Sequence, residues 1–461
     1  MLKTFSIGGI HPEENKLSAG SPLKQFQLPA DIKEVRIPVV QHIGAPAQPV
    51  VAVGDEVKVG QLIAQAGGFV SANVHAPFSG KIKKIETTAG DDGKPAMMIT
   101  IAIEGDEWVE TIDRSTGIRR DINLSAEEIV KKIGEMGIVG MGGARFPAQV
   151  KLGVKPGQAQ ALIINGVECE PYLTADHRLM LEKSEEVLIG VKILMKAIGV
   201  TEAYIGIENN KKDAIELLTK LSASYQGIHV QPLEMKYPQG GEKQLIDACI
   251  GRQVASGALP ISVGAVVQNV GTAYAVYEAV QKNKPLIERV VCVTGKPLQT
   301  PTNFWARIGT PVKALIDAAG GVPSDCAKII GGGPMMGRAF ANIEVPIHKG
   351  SSGILLMNQK ESARGPIANC IRCAKCVSAC PMGLEPFLLS KLSAKSLWDS
   401  AEDNHIADCI ECGSCSFTCP SNRPLLDYIR LGKGKVMGII RARAAAAKAA
   451  AEAAKAAEAS K

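Results

Sequence analysis

The sequence is poor in aromatic residues, with 3 Trp, 7 Tyr and 9 Phe among 461 positions. It has no dense basic stripe interleaved with aromatics, so nucleic acid is not an expected partner. Histidine is scarce too, and the 7 present form no recognisable catalytic triad. No apolar run is long enough to cross a bilayer. The best candidate, "VLIGVKILMKAIGV" at 187–200, is short and carries Lys192 and Lys196, as an amphipathic core helix would. The N-terminus lacks an apolar segment with a cleavage site. The chain is therefore expected in the cytoplasm, with any membrane contact peripheral. Charge is mild, with a net +6; a solvated surface accounts for it, with anionic cofactors or lipid headgroups as the alternative.

Cysteine is the exception. Of 12 cysteines, eight lie between Cys370 and Cys419. In a reducing compartment that density points to metal binding. The other four, Cys169, Cys249, Cys292 and Cys326, read as small buried apolar residues. The chain is also too long for one core, so several domains are expected.

Residues 35–103 read as short strands separated by Gly-Asp, Gly-Gln and Ser-Gly turns. "VGDEVKVGQLIA" and "HAPFSGKIKKI" resemble half of a lipoyl- or biotinyl-type barrel-sandwich domain. Such carriers attach their group to a lysine at the hairpin tip. The equivalent stretch here, "GGFVSAN" at 67–73, has no lysine, so the module is expected to be structural. From about residue 120 the pattern turns α/β. Ser125 and Glu128 form a capping box and Gly137 closes that helix. "ALIIN" (161–165) and "AYIGIE" (203–208) are buried strands, and one long helix is expected across 175–199. The alternation implies a parallel sheet covered by helices. A small α+β unit follows at 256–345, then the cysteine-rich segment. The Ala/Lys-rich end favours helix but has no apolar face to bury, so a solvated tail is expected.

"CIRCAKCVSACP" (370–381) and "CIECGSCSFTCP" (409–420) are two copies of C-x2-C-x2-C-x3-C-P. In this pattern three thiolates of a cubane come from one tight loop and the fourth from the partner motif. Cys370, Cys373, Cys376 and Cys419 are then one ligand set, and Cys409, Cys412, Cys415 and Cys380 the other. Zinc also uses C-x2-C pairs, but it gives no reason for the doubled run ending in Cys-Pro. Two [4Fe-4S] clusters are expected.

Clusters carry single electrons, whereas NADH delivers a hydride, and a flavin interconverts the two. "GMGGARFPAQVK" (140–151) is a candidate seat for one. Its glycines keep the main chain bare, and a helix predicted to begin near Phe146 offers N–H groups and a positive end to phosphate. Phe146 is placed to flank a ring and Lys151 to neutralise phosphate. The loop is not the dinucleotide fingerprint, because Arg145 stands where that pattern needs glycine. Asn165, Glu168 and Glu170 lie at the carboxyl end of the next strand, the edge at which open α/β sheets bind ligands.

These motifs, with "GGIHPEENK" (8–16), "INGVECEPYLTADHRLM" (164–180), "KYPQGGEKQLI" (236–246), "VQNVGTAYAV" (267–276) and "GGGPMMG" (331–337), resemble in this order the C subunit of the Rnf complex. That complex is the ion-translocating oxidoreductase of bacterial membranes. The middle half is also similar to the flavin-bearing subunit of respiratory complex I. The resemblance implies that Gly140, Gly142, Gly143, Arg145, Phe146, Lys151, Asn165, Glu168, Glu170 and Asn269 surround FMN. It implies that Glu170 and Glu242 serve catalysis, with Glu242 near the nicotinamide nucleotide. It further implies a multidomain α/β architecture: a barrel-sandwich module at 1–118, a Rossmann-like FMN/NADH domain at 119–255, a β-grasp domain at 256–345, a two-cluster ferredoxin-like domain at 346–430 and a tail at 431–461. The expected partners are NADH, the membrane subunits and iron–sulfur B subunit of an Rnf complex and, indirectly, ferredoxin, at the cytoplasmic face of the inner membrane. Two alternatives stay open: a soluble flavin/iron–sulfur reductase such as a cobalamin reductase, and a cluster-bearing scaffold whose flavin site is degenerate at Arg145 and Ala148.

Overall fold

Strand alternation builds the N-terminal module. The computed structural model describes residues 2–91 and 93–459, with side chains as far as Glu452, so the last two residues of the expected tail lie outside the described residues. Glu34–Pro38, Pro95–Ile103, Gly80–Ala89 and Glu56–Val57 form one antiparallel sheet, and Gln48–Pro49, Leu62–Gln65 and Val74–His75 a second. Ile37, Ile82, Ile99 and Ile101 from the first sheet share one core with Ile63 and Val74 from the second. At the 67–73 tip Phe69 is exposed.

The second layer is a four-stranded parallel sheet in the order Ile228–Leu233, Ala203–Glu208, Ala161–Asn165, Ala265–Asn269. Ala203–Glu208, Ala161–Asn165 and Ala265–Asn269 are buried on both faces, as helix-covered parallel strands must be, while the edge strand Ile228–Leu233 is partly open. Leu162 and Ile164 face the core beneath the helices Ala126–Glu135, Ser184–Ile198 and Val270–Gln281. Ile163 faces the opposite core beneath Glu242–Ile250. The capping box at Ser125 is present and Gly137 has φ 63° beyond the helix end. The helix expected across 175–199 is instead two, Ala175–Glu182 and Ser184–Ile198. The Ser184 hydroxyl donates to the Met180 carbonyl at 2.6 Å, competing with the backbone ladder where the helix breaks.

The third layer is a six-stranded sheet ordered Lys24–Gln25, Thr302–Arg307, Glu288–Thr294, Gly353–Asn358, Cys326–Gly331, Arg338–Ala339. The helix Val312–Ala318 packs on it through Val312, Leu315 and Ile316. The expected edge at residue 255 thus falls inside the parallel layer, because Ala265–Asn269 pairs with Ala161–Asn165. The edge at 345 likewise falls inside the six-stranded sheet, because Gly353–Asn358 pairs with Glu288–Thr294. A buried apolar strand reads the same in either neighbouring sheet, and only its hydrogen-bond partners assign it.

The cysteine-rich part is helical. Leu389 of Pro386–Ala394 packs with Ile429 and Val436 of the long helix Leu425–Ala459. From residue 441 to 452 that helix is exposed on all sides, as its composition predicts.

Candidate functional site

The parallel sheet has one switch point. From Ala161–Asn165 the chain adds two strands on one side and then crosses to place Ala265–Asn269 on the other. Such a crossing opens a crevice at the carboxyl ends of the two central strands. Asn165 and Asn269 end those strands and are register partners. Asn269 accepts from Gly271 N at 2.8 Å, capping Val270–Gln281, and donates to Asp176 Oδ2 at 2.7 Å. Asn165 donates to the Gly240 carbonyl at 2.8 Å.

The glycine turn covers this crevice. Its base is closed by Gly140 N to Phe146 O at 2.8 Å, Ala148 N to Ile138 O at 3.0 Å and Met141 N to Thr272 Oγ1 at 3.0 Å. A Cβ on Gly142 would lie 2.9 Å from Asn269 Nδ2, so the bare backbone is required there. Nothing stands within 4 Å of a Cβ on Gly143, and Gly142, Gly143 and Ala144 are exposed. An uncovered main-chain turn above two amide-tipped strands fits a flat ring with a polar edge. The helix after the turn begins at Ala148, not near Phe146, and has five residues, Ala148–Leu152. So short a helix adds little end charge, which leaves side-chain cations such as Lys151 to meet an anion. Lys151 pairs with Glu242 at 2.5 Å and donates to the Val267 carbonyl at 2.9 Å. Glu242 opens the helix Glu242–Ile250.

The remaining predicted acids have structural partners. Glu168, at φ 46°, accepts from Asp176 N at 2.9 Å and His177 N at 3.1 Å and so caps Ala175–Glu182. Glu170 accepts from Met335 N at 3.1 Å and Met336 N at 2.8 Å, tying the crevice to the 331–337 loop. Burial raises its pKa, and the two N–H groups oppose the rise. Arg145 takes φ 58°, and its stem lies on Gly350, where a Cβ would be 2.4 Å from Arg145 Cδ. Gly142, Asn165 and Asn269 are therefore brought together and Lys151 meets Glu242, while Arg145 packs on the 350 segment.

Sequence reasoning missed Asp176, whose carboxyl holds Asn269 in place. Burial, then the neighbouring Glu168 carboxylate, pushes its pKa up. It also missed Lys16, whose ammonium gathers the carbonyls of Glu168, Glu170 and Leu173 at 2.7, 2.9 and 2.8 Å. Both lie inside quoted motifs, "LTADHRLM" and "GGIHPEENK".

The two cysteine sets differ in surroundings. Cys380, Cys409, Cys412 and Cys415 line one small pocket, walled by Leu384, Leu389, Ile410 and Ile429. Burial pushes Cys409 up to about 11 and Cys415 up to about 12, and the thiols they face add to the rise. Four converging thiols in an apolar chamber fit a cubane, with one thiolate per iron. Among the described residues no three side chains close on a single-ion site. In the other set Cys376 and Cys419 are close enough to interact, and Cys370 and Cys373 are exposed. The buried set rests on the α/β layer. Tyr237 donates to the Cys412 carbonyl at 2.8 Å, Gln244 to the Pro381 carbonyl at 3.1 Å, and Gly9 N to the Ala379 carbonyl at 3.1 Å.

Comparison with known proteins agrees with this architecture. Residues 133–278 match the Nuo51 FMN-binding domain, 3–107 the RnfC barrel sandwich hybrid domain and 290–339 the SLBB domain. The chain is 48% identical over 441 residues to the C subunit of the proton-translocating ferredoxin:NAD(+) oxidoreductase complex of Clostridium ljungdahlii, covering 94% of each chain. It is 43% identical over 432 residues to the C subunit of the Na(+)-translocating ferredoxin:NAD(+) oxidoreductase complex of Acetobacterium woodii, covering 93% of this chain and 96% of that one. Among solved structures, a chain of an air-oxidized NAD+-reducing [NiFe]-hydrogenase shares the fold at 15% identity and TM-score 0.50, covering 68% of this chain and 66% of that one. Among the described residues no helix is long and apolar enough to cross a membrane.

Proposed function

The chain belongs to the C-subunit family of ion-translocating oxidoreductase complexes, and from that premise we propose that it is the subunit at which NADH exchanges electrons with the rest of such a complex. It is an oxidoreductase subunit with an FMN-binding domain. FMN, when bound, accepts a hydride and gives up electrons singly, and each [4Fe-4S] cluster, when bound, carries one electron.

The chain's own residues supply position and polarity. The turn Gly140–Arg145 presents bare backbone above Asn165 and Asn269, whose amides are held by Gly240, Gly271 and Asp176. A ring seated there is oriented before reaction, which is the main requirement of hydride transfer. Lys151 offers a cation to an anionic phosphate, in exchange with Glu242. Released by that exchange, Glu242 can accept hydrogen bonds from a nicotinamide nucleotide. Glu170 closes the crevice on the side of the 331–337 loop. The eight motif cysteines hold two clusters, one per ligand set. The proposed partners are the other subunits of such a complex, and the proposed location is the cytoplasmic face of the membrane.

One observation carries the reading. The 237–240 segment, whose Gly240 carbonyl holds Asn165, also reaches the four-thiol chamber through Tyr237 and the Cys412 carbonyl, so the proposed flavin site and cluster site adjoin one segment. Anaerobic NADH added to the purified chain should bleach flavin absorbance and then the broad cluster band. Eight irons and one flavin per chain are expected. A protein that keeps iron and sulfide but no flavin overturns the proposal.

A further inference from the structure

The motif "GGGPMMG" (331–337) takes no part in the chemistry proposed above, yet three parts of the molecule meet on it. The loop leaves the third-layer strand Cys326–Gly331 and closes on itself through Gly337 N to the Gly333 carbonyl at 3.0 Å. A Cβ on Gly333 would lie 2.2 Å from Glu170 Oε2. The loop therefore has room for the Glu170 carboxylate and for no side chain at 333. The successive N–H groups of Met335 and Met336 both donate to that carboxylate, at 3.1 and 2.8 Å. Adjacent main-chain donors of this kind make a concave seat for an anion. Glu170 thus holds the loop from the crevice side. On the cysteine side the Met336 carbonyl accepts from Arg430 Nη2 at 2.9 Å. Arg430 in turn pairs through Nε with Glu411, which stands between Cys409 and Cys412, at 3.1 Å.

Between these two anchors Met335 lies against the wall of the four-thiol chamber. Ile410 and Gly413 line that chamber. Met335 packs with Ile410 against a small cluster of Ile10, Tyr237, Ala379 and Cys412. Its carbonyl is so near Gly413 that a Cβ there would stand 2.8 Å away. The side chain of the neighbouring Met336 is 45% exposed. Two adjacent methionines therefore have opposite surroundings, one against the chamber wall and one in water. An unbranched thioether suits the first position, because it adapts to an irregular gap. Water reaching a metal site changes its dielectric surroundings and hence its potential.

We infer that the 331–337 loop is the outer seal of the chamber formed by Cys380, Cys409, Cys412 and Cys415, and that Glu170 acts through it as a positioning residue. Glu170 fixes the two N–H groups, these fix Met335 behind Ile410 and Gly413, and Met335 keeps water from the thiols. The inference rests on the proposed function above, in which a cluster occupies this chamber.

The test uses the full chain, purified without oxygen and mixed with a ferrous-iron chelator in the absence of NADH. Iron should leave in two phases of about four irons each, fast from the exposed Cys370 set and slow from the chamber. Glu170→Ala and Met335→Ala should each speed the slow phase roughly tenfold, as when a local cover opens more often, and leave the fast phase unchanged. Met335→Leu keeps the bulk and should behave as the unaltered chain does. So should Met336→Ala, whose side chain already faces water. A spectroscopic reading separates sealing from general loosening. After exchange into D2O, pulsed EPR of the reduced chamber cluster should show deuteron couplings in the two alanine variants beyond those of the unaltered chain, and Met335→Leu should remove the excess. A slow phase unchanged in Glu170→Ala or in Met335→Ala overturns the inference, as does an equal acceleration in Met336→Ala or Met335→Leu. A single fast phase in the unaltered chain overturns it too, since the chamber would then be open to water. A total of only about four irons in the unaltered chain would instead tell against the two-cluster reading beneath it.

Discussion

Two stretches with the same cysteine spacing, CIRCAKC and CIECGSC, have opposite fates in the fold. Their backbones are alike. Arg372 and Glu411 take φ 58° and 56°, and Ala374 and Gly413 take φ 57° and 82°. The side chains between the ligands make the difference. Ile410 packs with Tyr237 and Ala379 while Ile371 is exposed. Glu411 pairs with Arg430 at 3.1 Å, whereas Arg372 has no such partner among the described residues. Ser414 is fully buried and Lys375 is exposed. Spacing therefore fixes the loop backbone that carries the thiols, and the intervening residues specify which way the loop faces.

The largest effect that would break this comparison is on electron flow. Cys412→Ser and Cys373→Ser should each lower iron from about eight to about four per chain. Only Cys412→Ser should also isolate the flavin, so that NADH bleaches it but the remaining cluster is reduced at least a hundredfold more slowly. In Cys373→Ser the buried cluster should still be reduced promptly in rapid-mixing spectra. Equal behaviour of the two variants would mean that the sites are not arranged in series.

A sharper version uses backbone alone. At Gly413 a Cβ would lie 2.8 Å from the Met335 carbonyl, whereas Ala374 already carries one in the same left-handed conformation. Gly413→Ala should destabilise the chain by about 2 kcal/mol, from the clash together with the positive φ. Ala374→Gly should stay within about 1 kcal/mol of neutral, because relief of strain offsets added chain entropy. Anaerobic thermal melts of both variants measure the difference.

Charge comes next in size. Glu411→Gln removes contacts with Arg430 at 3.1 Å and Lys433 at 3.8 Å, and should cost roughly 1 kcal/mol. Arg372→Gln should cost nothing measurable in the same melts, since it has no pair to lose.

Much of this was legible in the sequence. The cysteine repeat put Cys380 with Cys409, Cys412 and Cys415, and these four line one pocket, while "ALIIN" running into Glu168 and Glu170 located the strand edge where the crevice lies. The glycine-for-alanine exchange between the motifs was visible too, but its meaning depends on Met335, which is distant in sequence. The facing of the two sites was not legible. It is set by Tyr237, Gln244 and Gly9, whose contacts with the motifs form only after the layers assemble. The capping role of Glu168 was not legible either: an acid at a strand end reads as a ligand group, and only the fold shows that it accepts from the first N–H groups of the following helix. Length, not pattern, defeated the helix after the glycine turn, because five residues carry little periodic signal.

The smallest predicted effect concerns the path from crevice to buried motif. Glu170 accepts from Met335 and Met336 N–H, and the Met335 carbonyl in turn packs on Gly413. Burial holds the folded pKa of Glu170 above its ordinary value. Between the two values the folded chain keeps a proton that the unfolded chain has lost, so this group's contribution to stability falls as pH rises through that window. Glu170→Gln removes the titration and one acceptor oxygen. The stability gap between the unaltered chain and this variant, of the order of 1 kcal/mol for a hydrogen bond, should therefore be widest at the acid end and narrow as pH rises. Arg372→Gln, on the exposed motif, should keep the slope of the unaltered chain. A gap that widens with pH would show that Glu170 is held ionised by the two N–H groups, and that the link from the crevice to the buried motif is a fixed charge.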